Sequence, residues 1–108
     1  MQVTTAGQFD FTVARGDGRS EVQLVGELDI STAPLLREGL LRLLADGSGD
    51  VTLDLSRLNF IDSTGLSVLV GAYTRARESG RAVVLRSPRP SARKVLEISG
   101  LDTVFEIT

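Results

Sequence analysis

The chain of 108 residues contains no cysteine, no histidine and no tryptophan, and a single methionine and a single tyrosine. Those absences remove most common catalytic centres. Without thiol or imidazole there is no cysteine nucleophile, no histidine base and no Cys/His metal site. A hydroxyl nucleophile would then need an unusual base such as lysine, and Lys94, which follows Arg93, reads as solvent-facing charge. No metal and no cofactor are expected. Long apolar runs are missing too, all falling well short of the ~20 residues a membrane-spanning helix requires. An excess of positive charge is also lacking. A formal net charge of -2 and a pI near 5.0 give no field for gathering a phosphate backbone, so nucleic acid is not an expected partner. The first residues, Met1 to Thr5, form neither a basic patch nor an apolar stretch. They suggest no secretory signal, and a cytoplasmic location with no membrane attachment is the expectation.

What is present suits one domain. Hydrophobic residues make up 42% and charged residues 24% of the chain, enough for a single core of sheet and helix without disulfide or metal support. Phe9, Phe11 and Val13 alternate with Asp10, Thr12 and Ala14, and after Gly16-Asp17-Gly18-Arg19 the two-residue period resumes at Val22, Leu24 and Gly26. These segments predict a β-hairpin. Ser31-Thr32-Ala33-Pro34 offers a hydroxyl cap and a proline suited to a first helical turn, and Leu36, Leu40, Leu43 and Leu44 follow at helical spacing. Val51, Leu53 and Leu55 predict a third strand, joined to the second through a right-handed crossover.

Leu58, Phe60 and Ile61 are expected on an apolar loop, after which a helix opens at Ser63 or Thr64, shows Leu66, Leu69, Val70 and Tyr73 on one stripe, and stops at Gly80. Ala82 to Arg86 reads as a strand, Ser91 to Ser99 as a short helix with Val95, Leu96 and Ile98 inward, and Thr103 to Ile107 as a last strand. The expected fold is α/β: a mixed, mostly parallel sheet of about five strands with about three to four helices, in one domain over 9–108, with 1–8 expected to be loose. Strand edges are invisible to this pattern, so the oligomeric state is left open.

Two segments are candidates for function. Asp62-Ser63-Thr64-Gly65 lies where a strand exit becomes a helix, the mouth at which open α/β sheets place their sites. Ser63 or Thr64 reads equally as a helix cap, with Asp62 complementing the helix dipole. Gly65 in a first helical turn costs ~1 kcal/mol relative to alanine, which suggests that another surface approaches the backbone there and that the neighbouring hydroxyl is accessible to a kinase. The second segment, Gly26-Glu27-Leu28-Asp29-Ile30, also follows a strand and precedes a helix, so Asp29 is expected near Ser63. As an enzyme, Asp29 and Asp62 would be an acid/base pair, but nothing in the pattern implies a pocket around them.

Gly26-Glu27-Leu28-Asp29, the run from Leu55 to Leu66 containing Phe60-Ile61-Asp62-Ser63-Thr64-Gly65-Leu66, and Ser99-Gly100-Leu101 together resemble the STAS family of anti-sigma factor antagonists. The resemblance runs from about Phe9 to the end of the chain. It implies a non-catalytic binding domain that switches partners. The unmodified form binds an anti-sigma factor, usually also a serine kinase of the ATPase fold, and thereby frees a sigma factor; phosphorylation of Ser63 ends that binding, and a phosphoserine phosphatase restores it. By the same resemblance Asp29 and Asp62 flank the acceptor and Thr64 and Gly65 shape the helix start, all as partner-binding residues. The alternative function is a STAS-like scaffold or transport-complex subunit that is never phosphorylated.

Overall fold

The computed structural model describes residues 8–47 and 49–108. Strands β1 (Phe9–Gly16) and β2 (Arg19–Leu28) form the hairpin; helix α1 (Ala33–Asp46) leads to β3 (Val51–Ile61), α2 (Ser63–Glu78) to β4 (Val83–Arg86), and α3 (Pro90–Ile98) with a 3₁₀ turn (Leu101–Thr103) to β5 (Glu106–Ile107). The strands lie side by side in chain order, the first pair antiparallel and the rest parallel. The expected α/β class, hairpin and mostly parallel sheet are all present.

Because the strand order advances in one direction and each parallel crossover is right-handed, α1, α2 and α3 are all carried over one face of the sheet. The molecule is accordingly two layers thick, with extents of 36 × 35 × 19 Å. Register brings Val22, Leu53 and Leu85 into one row and Val51 and Val83 into another, all buried under the helices. Each fully buried leucine in this layer contributes ~1.5–3 kcal/mol relative to exposure. The opposite face is polar, carrying Thr12, Glu21, Gln23, Thr52 and Arg86. There Arg86 joins Glu21 and Asp54 in an ion-paired row across three strands.

β3 departs from expectation. Leu58, Phe60 and Ile61 belong to the strand, not to a loop. Against β2, one extra β3 residue is inserted between the Gln23–Asp54 and Val25–Arg57 pairs, and Asn59 is inserted between the Gly26–Leu58 and Glu27–Phe60 pairs. One bulge reverses which side chains face inward and the second restores it. The buried set is therefore Val51, Leu53, Leu55, Leu58 and Ile61, whose spacing changes from two to three. Polar side chains pin both irregularities: Asp54 Oδ1 accepts the Ser56 N–H at 2.9 Å, and Asn59 Oδ1 accepts Arg89 Nη1 at 3.1 Å. Gly26, with φ of 105°, sits between them, and a Cβ there would lie 2.2 Å from the Gln8 carbonyl oxygen.

Three smaller expectations also change. The last strand is only Glu106–Ile107, because Leu101–Thr103 winds into the 3₁₀ turn and carries Phe105 into the core, edge-on to Tyr73 at 5.3 Å. Ile98 is 77% exposed rather than inward, since Ala92 and Leu96 already occupy the buried stripe of α3. Gln8 is tied down, its carbonyl accepting the Glu27 N–H at 2.9 Å, while the rest of the expected loose segment lies outside the described residues.

Candidate functional site

Both candidate segments leave the sheet at its C-terminal end. β2 and β3 pair up to Leu28 and Ile61, and the Asp62 N–H donates to the Leu28 carbonyl at 3.2 Å, so Asp29 and Asp62 depart from strands about 4.8 Å apart. Sequence proximity to the sheet mouth thus becomes spatial proximity.

The cap of α2 differs from the one expected. Neither hydroxyl caps the helix. Asp62 is the N-cap, and its Oδ1 accepts the Gly65 N–H at 2.9 Å. Ser63, the first residue of α2, is exposed, and its hydroxyl makes no hydrogen bond among the described residues; only its carbonyl is engaged, by the Ser67 hydroxyl at 3.0 Å. Thr64 beside it is half-buried.

Gly65 serves the interior rather than an outer ledge. A Cβ there would stand 2.8 Å from Leu28 Cγ and 2.9 Å from Ile61 Cγ1, far inside ordinary contact. The helix start is therefore pressed onto the ends of β2 and β3. This close approach seats the first turn of α2 against Leu28, the residue that precedes Asp29.

Asp29 is the clasp of that loop. Its Oδ1 accepts the Ser31 N–H at 2.9 Å and the Thr32 N–H at 3.1 Å. Thr32, one of the two hydroxyl residues in the segment expected to cap α1, instead accepts the Asp29 N–H at 2.9 Å and donates to the Glu27 carbonyl at 2.8 Å. The knot turns the chain from β2 into α1 and leaves Ile30 72% exposed. The acid/base reading finds no support in this geometry. Each aspartate spends a carboxylate oxygen on backbone N–H groups, and the clefts between α1 and α2, beside Asp17-Gly18, and along β1 do not include either of them.

Two residues at this end lie inside the candidate segments but receive no role from the sequence. Ile30 and Phe60 present apolar side chains to solvent, Phe60 at 48% exposure and paired with Glu27 across the strands. The signal for Phe60 is its phase. It falls outside the inward set of β3, yet it is the largest side chain of that strand's end. Exposed apolar groups beside carboxylates and a free hydroxyl suit contact with another protein surface.

Known proteins share this fold and sequence pattern. The family model described as "Mlab, STAS domain" matches residues 11–107. The anti-sigma-B factor antagonist of Bacillus subtilis is 30% identical over 96 residues, covering 89% of this chain and 87% of that protein. The crystal structure of an anti-sigma factor antagonist from Mycobacterium paratuberculosis superposes with a TM-score of 0.82 at 32% identity, over 97% of this chain and 89% of that one. The unphosphorylated form of the antagonist SpoIIAA shares the fold at 24% identity, with a TM-score of 0.80 over 92% of this chain and 88% of its own. The chain belongs to the STAS-domain family of anti-sigma factor antagonists.

Proposed function

We propose that this protein is an anti-sigma factor antagonist that works by partner switching, with Ser63 as the phosphoacceptor. The observation that carries the reading is the free Ser63 hydroxyl on the first turn of α2, released from capping because Asp62 takes that role. The unmodified surface, made of Ser63, Thr64, the Asp29 loop, Ile30 and Phe60, binds an anti-sigma factor that also serves as an ATPase-fold serine kinase. Gly65 contributes by seating the helix start. A phosphoserine phosphatase resets the domain. The ATP and the phosphoryl-transfer chemistry belong to the kinase, and the domain itself acts without catalysis in the cytoplasm; no helix among the described residues is long and apolar enough to cross a membrane.

A phosphate on Ser63 adds ~-1.5 to -2 charge beside Asp62 and Asp29. Two effects oppose one another. The N-terminus of α2 favours the new anion by ~0.3–1 kcal/mol, whereas pressing unpaired like charges into an interface costs several kcal/mol. Binding therefore suffers more than folding. The test incubates the protein with ATP and a candidate kinase from the same genome, then locates phosphate by mass spectrometry and measures binding before and after. Phosphate at Ser63 with loss of binding is the expected result. A stable complex with no modification at Ser63 would favour a scaffold role instead.

A further inference from the structure

We infer that the edge of β1, which no other described strand covers, is a self-association surface, pairing with β1 of a second copy to give one continuous ten-stranded sheet. The sheet has two edges of unequal kind. β5 is two residues long, too short to template another strand. β1 is eight residues long, contains no proline or lysine, and pairs with β2 through eight consecutive positions without a bulge. Its blunting is slight: Asp10 and Arg15 are charged and Asp10 Oδ1 accepts the Phe11 N–H at 2.8 Å, but neither a proline nor a bulge interrupts the edge.

The hairpin geometry states which backbone groups are free. β1 and β2 are joined by the two residues Asp17 and Gly18, whose φ values of 50° and 73° define a type I′ turn, and Gly16 faces Arg19. In such a hairpin the flanking pair is hydrogen-bonded, and bonded pairs alternate from there. The even-numbered residues of β1 thus bond to β2, in keeping with the Glu27 N–H donating to the Gln8 carbonyl. Phe9, Phe11, Val13 and Arg15 therefore turn their N–H and C=O groups outward, where the Phe11 N–H donates to Asp10 Oδ1 at 2.8 Å.

A two-fold axis normal to the sheet keeps the helices of both copies on one face. That symmetry allows only registers in which odd residues face odd residues. Centring it on Thr12 uses all four outward residues: Phe11 faces Val13 of the second copy, Phe9 faces its Arg15, and Thr12 faces its Thr12. Four narrow pairs form, exchanging about eight hydrogen bonds at two per pair, of which the two from the Phe11 N–H groups replace their bonds to Asp10 Oδ1. The side-chain matches are favourable ones: aromatic with β-branched, threonine with threonine, and guanidinium beside an aromatic ring. Asp10 faces Ala14, so no like charges oppose. Val13, 42% exposed, would be covered, beside an open cleft of about 480 Å³ between β1 and α1.

Antiparallel pairing turns the C-terminal sheet ends of the two copies in opposite directions. Each Ser63 stays accessible, so the dimer would present two independent sites. The association surface and the Ser63 surface share no residue, and each stands or falls without the other.

Thr12 at the axis falls in a non-hydrogen-bonded pair with Cα atoms about 4.5 Å apart, within disulfide range. The full chain has no cysteine, so T12C supplies one thiol. Sedimentation across a wide range of concentration should show wild type in monomer–dimer equilibrium, and mild oxidation should convert T12C to a covalent dimer while Q23C, on the same face of β2, stays uncoupled. V13P removes an outward N–H without touching the hairpin ladder, and V13K places charge on the edge. Either should raise the dimer dissociation constant at least about tenfold. A wild type that stays monomeric at every concentration, or a dimer that survives both Val13 substitutions, overturns the proposal.

Discussion

Asp62 Oδ1 accepts the Gly65 N–H at 2.9 Å, and this one bond defines the chemical state of its neighbour Ser63. A helix N-terminus has orphan N–H groups that a serine, threonine or aspartate can satisfy. Here the aspartate does so, from a position that also continues the β2–β3 ladder through its own N–H. The serine one residue on is left with an uncommitted hydroxyl at the surface. Asp62→Ala should cost about 0.5–2 kcal/mol of stability by urea unfolding, whereas Asp62→Asn, which retains a capping oxygen, should cost a few tenths. Equal losses in the two variants would mean that the charge, not the cap, is what matters.

Ser63 itself should be nearly silent in folding. Ser63→Ala is expected to change unfolding free energy by less than about 0.5 kcal/mol, as for other surface positions without partners, and to bind the anti-sigma partner without being switched off. Ser63→Asp should weaken that complex by tenfold or more, about 1.4 kcal/mol, with its thermal midpoint close to wild type. Calorimetric titration beside thermal unfolding separates the two quantities. An aspartate variant that binds as tightly as wild type would falsify the switch.

Gly65 has opposing terms. Alanine gains ~1 kcal/mol of helix propensity, but overpacking a close-packed contact costs ~1–3 kcal/mol. The added Cβ meets the branched end of Leu28 and Ile61 Cγ1, both seated in the core, so little room exists for either to give. Gly65→Ala should therefore be a net loss. Pairing it with Leu28→Ala removes the Leu28 share of the clash and leaves that with Ile61 Cγ1. The double variant should then lose less stability than the sum of the two singles, a coupling that a double-mutant cycle reads directly.

Ile30 and Phe60 should behave in the opposite way. Both are exposed, so truncation to alanine is expected to leave unfolding free energy within about 0.5 kcal/mol of wild type. If they anchor the partner, each truncation should weaken binding by at least about 1.4 kcal/mol, a factor of ten. Unchanged affinity in both would move the interface away from this end of the sheet.

Arg81 governs the far end of the helix layer. Its Nη1 donates to the Gly47 carbonyl and its Nη2 to the Leu44 carbonyl, each at 2.6 Å, so one guanidinium closes the C-terminus of α1 from the connection between α2 and β4. Such charged contacts to terminal carbonyls also complement the helix dipole. Arg81→Met should cost about 1.5–3 kcal/mol, on the scale of hydrogen bonds to charged groups. Hydrogen exchange should accelerate in the last turn of α1 before it does in β3. Uniform acceleration across the chain would point to global unfolding instead.

Several features were legible in the order of residues alone. The two-residue period of Phe9 to Val13, the helical spacing of Leu36, Leu40, Leu43 and Leu44, and the strand-to-helix position of Ser63 are all local patterns. They depend on the geometry of one segment, 3.6 residues per helical turn or two per strand repeat, and need no knowledge of a neighbour. The motif around Asp62-Ser63-Thr64-Gly65 was readable for the same reason. The absence of cysteine and histidine likewise restricted the chemistry before any fold was known.

Other features exist only between segments. The bulges of β3 are defined against β2, so a strand whose inward residues run 51, 53, 55, 58 and 61 looked like a strand ending in a loop. Gly65 suggested an approach by something, but that the something is Leu28 and Ile61 follows from strand pairing. Asp62, Ser63 and Thr64 are all competent caps, and the choice among them was made by the ladder that fixes Asp62 against Leu28. The open edge of β1 is likewise a property of the assembled sheet. Sequence determined which hydroxyls stand at the start of the helix; tertiary structure decided which of them was left free, because hydrogen-bond donors and acceptors are allotted only when distant strands meet.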